Sequence, residues 1–282
     1  MAQDTVFSEK IARIFDLDGE LMIMGILNIT PDSFSDGGKY LKEKDWLKQC
    51  KKMVTEGADI IDIGGVSTRP GATQVSATEE AKRVLPVIKS VRKHFPELLI
   101  SVDTFRAAIA EKAVKAGANI INDISGGQFD KKMFATVARL NVPYILMHSN
   151  KTPETMHNKN IKGDINEALI TYFKSKIKSL TKLGFSKIII DPGIGFGKTL
   201  EQNYKLTGHL QLENIFEQPI MMGISRKSMI TKALDIKSKD ALNATSVLHV
   251  FCLLSGAKIL RVHEVKEAKQ TALLVDLVGR WW

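Results

Sequence analysis

The chain has 282 residues, 44% hydrophobic and 25% charged, with 40 Lys and Arg against 31 Asp and Glu for a formal net charge of +9. These values exclude a disordered or low-complexity chain, and two cysteines, Cys50 and Cys252, are too few for a disulfide scaffold and read as buried thiols of a reducing compartment. Residues 1–16 have no apolar core of a secretion signal, and the most apolar window, 245–260, is broken by His249, Ser255 and Lys258, so a cytoplasmic protein with no membrane partner is expected.

In chain order, residues 1–20 read as a lead-in covering the bottom of one domain, 21–282. Eight apolar runs come next: 21–30, 58–65, 98–104, 118–125, 142–148, 187–193, 219–225 and 257–264. Each opens with consecutive Ile, Val, Leu or Met, the pattern of a strand buried on both faces in a parallel sheet. Between them, apolar residues recur at helical spacing in 42–56, 78–94, 106–116, 130–140, 164–183, 239–255 and 264–279. Gly57 stops the first of these segments, and Gly117, Gly184, Gly256 and Gly279 are expected as left-handed caps before later strands or the end. Thr78, followed by Glu79 and Glu80, reads as a helix start. Alternating strands and helices in a chain near the roughly 250 residues of such a fold predict a single (β/α)8 TIM barrel.

The basic balance invites a nucleic-acid reading. The lysines fall on predicted helix faces, in 42–52 and 174–182, with no aromatic platform for stacking bases, so no nucleic-acid partner is expected. A basic field would still attract small anionic substrates.

Chemically capable residues gather where the runs end: Asn28, Asp62, Asp103, Asn122, His148, Asp191, Ser225-Arg226-Lys227 and Arg261-Val262-His263. Carboxyl ends of barrel strands are where such enzymes build their sites. The loop 28–38 sets Phe34 among two carboxylates and three hydroxyls before Gly37-Gly38, which suggests a lid that buries Phe34 over substrate. The loop 64–72 puts hydroxyls beside Arg69, a composition suited to an anion. The stretch 191–199 fails as a phosphate loop, because only three residues separate Gly193 from Gly197-Lys198-Thr199. Its glycines are expected to let backbone pass close to a ligand. Asp103, Asn122 and Asp191 should meet in the barrel mouth, where paired carboxylates require a donor-rich ligand or a cation, with Lys227 and Arg261 to balance them. No Cys/His cluster has zinc spacing, and His263 reads as an anion or water partner.

The segments MGILNITPDSFSDGG, DIGGVSTRPGA, SVDT, INDISGG, LMH, IIIDPGIGFGKT, SRKSMI and RVHEVKEA, spread over residues 22–267, resemble the dihydropteroate synthase family in order and content. That resemblance implies a transferase of folate synthesis that joins 6-hydroxymethyl-7,8-dihydropterin diphosphate to 4-aminobenzoate, releasing diphosphate by a dissociative displacement. It implies a pterin site of Asp103, Asn122, Met147, Asp191, Lys227 and Arg261. It implies a diphosphate site of Asn28, Thr68, Arg69, Arg261 and His263, with Asn28 also a ligand of Mg2+. It implies an aminobenzoate pocket of Phe34, Pro70, Phe196, Lys227 and Ser228, closed by Asp36. It implies Asp103, Asp36, Lys227 and Arg261 as the catalytic set. A homodimer is implied as well, with 245–255 and Trp281-Trp282 as candidate interface segments. One departure stands out: Val66 occupies a place where the family usually has Glu. A methyltetrahydrofolate-binding methyltransferase barrel would share the pterin site, yet it gives no reason for the SFSDGG, STRPG and SRKS segments. A pterin- or RNA-binding barrel without activity gives none for the intact set of polar strand ends.

Overall fold

The computed structural model describes residues 2–30, 43–67, 75–149 and 161–279. Within them lie strands β1 (Met22–Asn28), β2 (Ile60–Gly64), β3 (Leu99–Asp103), β4 (Ile120–Asp123), β5 (Tyr144–Met147), β6 (Ile188–Asp191), β7 (Ile220–Met222) and β8 (Ala257–Val262). All neighbours pair in parallel in sequence order and β8 closes on β1, which is the (β/α)8 barrel expected from the eight runs.

Five of the strands, β2, β3, β4, β6 and β8, turn polar on the inward face in their second halves. Met24, Ile60 and Leu99 stand in register and, with Ile120, Ile145, Ile189 and Ile259, fill the lower barrel interior. Side chains alternate faces along a strand, so the next inward position lies two residues on. There the chemistry changes: Ile60 is followed by Asp62, Leu99 by Ser101 and Asp103, Ile120 by Asn122, Ile189 by Asp191, and Ile259 by Arg261. One end of the barrel is thus a packed plug, each fully buried Ile contributing about 1.5–3 kcal/mol, and the other a polar mouth. Outward residues, among them Ile61, Val102 and Leu260, pack under the helices.

Helix α1 (Ala2–Phe15) lies against the plug. Ile14 is fully buried there, and Phe7, Ile11 and Phe15 share its face at helical spacing. The Lys10 ammonium donates to the Glu97 carbonyl at 2.7 Å, which ties α1 to the turn before β3.

The crossovers are α2 (Glu43–Thr55), α3 (Ala77–His94), α4 (Ala107–Lys115), α5 (Met133–Leu140), α6 (Ile165–Thr181), α7 (Leu200–Gly208), α8 (Ser228–Leu234), α9 (Leu242–Leu254) and the closing α10 (Val265–Gly279). Helices α7 and α8 are additions to the segments read from periodicity. Helix α7 starts at a reciprocal cap, the Thr199 hydroxyl accepting from the Gln202 N–H and the Gln202 amide oxygen from the Thr199 N–H, both at 3.0 Å. Helix α3 starts one turn-position earlier than expected: Ser76 is its cap, accepting from the Glu79 N–H at 3.2 Å, and Thr78 lies inside the first turn. Gly279, expected as a left-handed cap, is the last residue of α10 and keeps no positive φ, unlike Gly117, Gly184 and Gly256. Cys50 and Cys252 are buried free thiols on α2 and α9, burial raising both well above the ordinary thiol range, to about 12.

Strand β7 has three residues, and its ladder with β8 shifts register between Ile220 and Met221. Such an irregularity bends the strand and re-aims the residues beyond it. Here those residues lead into Ser225-Arg226-Lys227.

Candidate active site

The mouth is organised around Arg261 on β8. Its Nε donates to Asp62 Oδ2 at 2.7 Å, and its Nη2 to Asp103 Oδ2 at 3.0 Å. Asn122 Nδ2 donates to the same Asp62 oxygen at 2.9 Å, which orients the amide with Oδ1 turned elsewhere. Among the described residues Asp62 Oδ1, Ser101 Oγ and Asn122 Oδ1 are buried and lack a hydrogen-bond partner. Buried acceptors are seldom left unmet, so three together mark a place completed by something that donates.

Burial, reinforced by the Asp62 charge and opposed by Arg261, raises the Asp103 carboxyl to about 7. Burial works against the Arg261 charge, but Asp62 and Asp103 outweigh it and hold the guanidinium charged. Across the mouth Asp191 is 7% exposed, and its Oδ1 accepts the Gly193 N–H at 2.7 Å. Its carboxyl is raised by burial, and Lys227 supplies the largest opposing pull. Lys227 stands at the start of α8. Its ammonium donates to the Ile194 carbonyl and lies 4.8 Å from the centroid of the Phe196 ring. Burial lowers it to about 8, against the attraction of Asp191. Met147 and Ile124, both nearly buried, form with Phe105 and Phe196 an apolar wall on the β4–β6 side.

The structure therefore brings Asp103, Asn122, Met147, Asp191, Lys227, Arg261 and Phe196 to one end of the barrel. Asn28 lies beside them: a Cβ placed on Gly64 would meet Asn28 Oδ1 and Asp103 Cβ, each at 3.4 Å. His263 comes just after β8 with its backbone N–H bonded to Ser225 Oγ at 3.3 Å, and Ser228 is exposed at the head of α8. Phe34, Asp36, Thr68, Arg69 and Pro70 lie outside the described residues, as does most of both loops read as mobile or anion-binding.

Sequence reasoning misses the weight of two residues. Asp62, in the sequence only a polar strand end, is fully buried and is the common partner of Arg261 and Asn122. Its signal is an Asp two places after an inward Ile, the same signal that marks Asn122 and Asp191. Lys198, which belongs to the failed phosphate loop, is 9% exposed and donates to the Gly193 carbonyl at 2.8 Å and the Phe196 carbonyl at 3.2 Å. Its Nζ also lies 3.1 Å from His148 Nδ1. Burial, with the Lys198 charge, lowers His148 to about 2, so this strand-end histidine is a neutral acceptor inside the protein. Gly193 corrects another expectation. At φ +67° a Cβ there would sit 2.1 Å from the His148 carbonyl oxygen, so protein backbone already demands the glycine, without any ligand.

Chemically the mouth offers acceptors on β2, β3, β4 and β6, a guanidinium and an ammonium above them, and an apolar wall. That set suits a flat ring with a row of N–H donors, carrying an anionic group.

The profile of the family described as pterin binding enzyme matches residues 24–263. A dihydropteroate synthase of Bacillus subtilis is 42% identical over 282 residues, covering 98% of this chain and 96% of its own. Among solved structures, a dihydropteroate synthase of Yersinia pestis in complex with a sulfonamide drug superposes with a TM-score of 0.88 at 37% identity, over 94% of this chain and 96% of that one. A dihydropteroate synthase of Clostridium difficile, in the presence of pteroic acid, gives a TM-score of 0.88 at 39% identity, over 94% of this chain and 99% of that one.

Proposed function

Because the chain belongs to the pterin-binding enzyme family and catalyses the dihydropteroate synthase reaction of folate biosynthesis, we propose that the polar mouth centred on Arg261 holds both substrates and carries the reaction. The observation that carries this reading is the set of unmet acceptors on Asp62, Ser101 and Asn122 around Arg261.

The pterin edge presents N–H donors to Asp191 and Asn122, with Met147 against the ring and Lys227 and Arg261 over its carbonyl side and face. Arg261 and His263, joined by Asn28, Thr68 and Arg69, take the diphosphate. The C–O bond to diphosphate breaks with its electron pair leaving on oxygen. The positive charge spreads from the methylene carbon into the ring, where an ionised Asp103 stabilises it. The neutral aniline nitrogen of 4-aminobenzoate then attacks that carbon and loses a proton. Phe34, Pro70, Phe196, Lys227 and Ser228 line its pocket, and Asp36 closes over it. An aromatic amine is nucleophilic without a strong base, which fits a site whose described residues include neither a triad nor a reactive thiol.

Among the described residues no three His, Cys, Asp or Glu side chains converge on a metal position. Asn28 Oδ1 and Asp103 Oδ2 nevertheless flank Gly64, and hard oxygen donors suit Mg2+, which is commonly shared with substrate phosphates. Asn28 would hold the ion, and the ion would neutralise charge on the departing diphosphate.

Two further readings belong to the same proposal. No helix among the described residues is long and apolar enough to cross a membrane, and the enzyme acts in the cytoplasm. It acts as a homodimer: α9 and α10 pack side by side and expose Phe251, Leu254, Leu274 and Leu277, each about half exposed or more. Exposed apolar side chains on two adjoining helices are what a self-complementary copy would cover.

The deciding experiment is diphosphate release by the purified protein with both substrates, and with each omitted. Release that needs 4-aminobenzoate, with dihydropteroate formed in equal amount, supports the reading. Methyl transfer from a methylated folate, or binding without turnover, overturns it.

A further inference from the structure

The loops after β7 and β8 carry Lys227 and His263, to which the proposed reaction gives the aminobenzoate and the diphosphate respectively. Backbone pairing between the two strands ends at Met222 and Leu260, so something else must hold the loops in register. Four side chains do so. Glu264, directly after His263, pairs through Oε1 with the Arg226 guanidinium. Its Oε2 accepts the Ser225 hydroxyl proton at 3.2 Å. The Ser225 oxygen in turn accepts the His263 backbone N–H at 3.3 Å. Thr245 of α9 completes the set, its Oγ1 accepting the Arg226 backbone N–H at 3.3 Å.

The backbone at the centre is unusual. Arg226 has φ +55°, in the left-handed region that non-glycine residues occupy only where their surroundings hold them. The residue after this forced turn is Lys227. Ser225 is 8% exposed and the Glu264 side chain 17%, against 35% for Arg226, so the carboxylate and hydroxyl are partly shielded from competing water while the guanidinium keeps one open side.

We propose that Glu264 is a positioning residue for the reaction: by holding Arg226 and Ser225 it fixes Lys227 relative to Arg261 and His263. The aminobenzoate end of the site and the leaving-group end are thereby set by one cross-link between neighbouring loops. The proposal rests on the roles given under Proposed function to Lys227, Arg261 and His263. Displacement of one reacting partner by about 1 Å can cost on the order of a hundredfold in rate, whereas Asp191 and Asn122 stand on strands the cross-link does not touch.

The test is a set of variants, Glu264→Gln, Arg226→Met, the two combined and Arg226→Lys, measured for kcat, for both KM values, for pterin binding by calorimetry and for melting temperature. Glu264→Gln is expected to lower kcat about ten- to a hundredfold and to raise the aminobenzoate KM, with pterin affinity, which Lys227 shares with Asp191 and Asn122, falling by less than the rate does and with little change in melting. Arg226→Met should match it, the double variant should be no worse than either single, as for members of one pair, and Arg226→Lys should recover much of the rate. If Glu264→Gln does not fold, Arg226→Met decides alone. Unchanged kcat, losses that multiply in the double variant, or pterin affinity falling together with melting temperature would each overturn the proposal. Lys227→Ala in the same series separates the two readings. If it abolishes turnover while Glu264→Gln does nothing, only the positioning role fails; if it stays fully active, the site assignment fails and takes the positioning role with it.

Discussion

Removing Arg261 tests the centre of the site, because one guanidinium there answers two carboxylates. A residue at the carboxyl end of a barrel strand is ordinarily spent on function, with little consequence for stability. The ion pairs with Asp62 and Asp103 argue for a different result. In Arg261→Met the packing of the stem is largely kept and only the charge is lost. Breaking a buried pair by deleting one partner costs about 3–5 kcal/mol when the remaining charge cannot escape. Here Asp103 can escape by taking a proton: its carboxyl already stands at about 7 with Arg261 present, and without the guanidinium it must move further up. A carboxyl raised in the folded state binds protons that the unfolded chain has released. Its contribution therefore lowers stability as pH climbs from the ordinary carboxylate range through the folded value. The variant should lose about 3 kcal/mol near pH 8, a fall of roughly 6–12 °C in melting temperature at 2–4 °C per kcal/mol. Near pH 5, where Asp103 is neutral in both proteins, roughly half that loss remains, due to Asp62. Thermal unfolding at the two pH values, with turnover on the same preparations, is the assay. Turnover should drop about a hundredfold or more, as when a transition-state charge partner is removed. An equal melting loss at both pH values, or none near pH 8, would refute the electrostatic account. Near-normal turnover in a folded variant would remove Arg261 from the chemistry.

Asp191→Asn should nearly abolish pterin binding, since half of the acceptor becomes a donor facing N–H groups, at a cost of about 1–3 kcal/mol or more; calorimetry showing unchanged affinity would take Asp191 out of the site. An ionised Asp103 is required in the free enzyme, so kcat/KM for the pterin substrate should fall as pH drops through about 7, and the limb should be missing from the residual activity of Asp103→Asn; a limb that persists belongs to another group. If diphosphate helps assemble the loops carrying Phe34 and Arg69, 4-aminobenzoate or a sulfonamide should bind weakly alone and more tightly with pterin and diphosphate present, by a coupling of roughly 1–3 kcal/mol; equal affinity in titrations with and without diphosphate contradicts the lid.

The barrel was legible because both-faced burial leaves a signature that needs no partner to interpret. Ile60-Ile61, Leu99-Ile100 and Ile188-Ile189-Ile190 put one side chain inside the barrel and the next under a helix, whichever strands they pair with. Helix α7 escapes periodicity for a local reason. Its start signal, Thr199 with Gln202 three places on, lies at the end of a stretch that reads first as a failed phosphate loop, and its nine residues are too few for a strong apolar period. Glu80 shows what periodicity cannot say. It sits among acidic first-turn residues of α3 like any solvated glutamate, yet it is fully buried and paired with Arg106 from beyond β3. Only the tertiary approach of two crossovers makes that pair.

The site divides along the same line. Residues that face the mouth because of strand alternation could be read from spacing: an inward apolar residue, then a polar one two places later, gives Asp62, Asn122, Asp191 and Arg261 at once. Which of them bond to one another could not be read this way, since Arg261 reaches Asp62 across 199 positions and Asp103 across 158. Loop residues obey no such period. Lys198 and Glu264 look in the sequence like polar punctuation and Ser225-Arg226 like one more polar strand end, and their weight comes from the contacts each makes in the fold. The strands thus set the direction in which each substrate-facing group points, while the loop network sets how far apart the two ends of the site lie. The second quantity governs rate once binding is satisfied. Turnover in this enzyme should accordingly respond to residues that touch neither substrate, such as Glu264, as well as to Arg261 and Asp103 within the site, whereas affinity for the pterin should follow the residues that touch it.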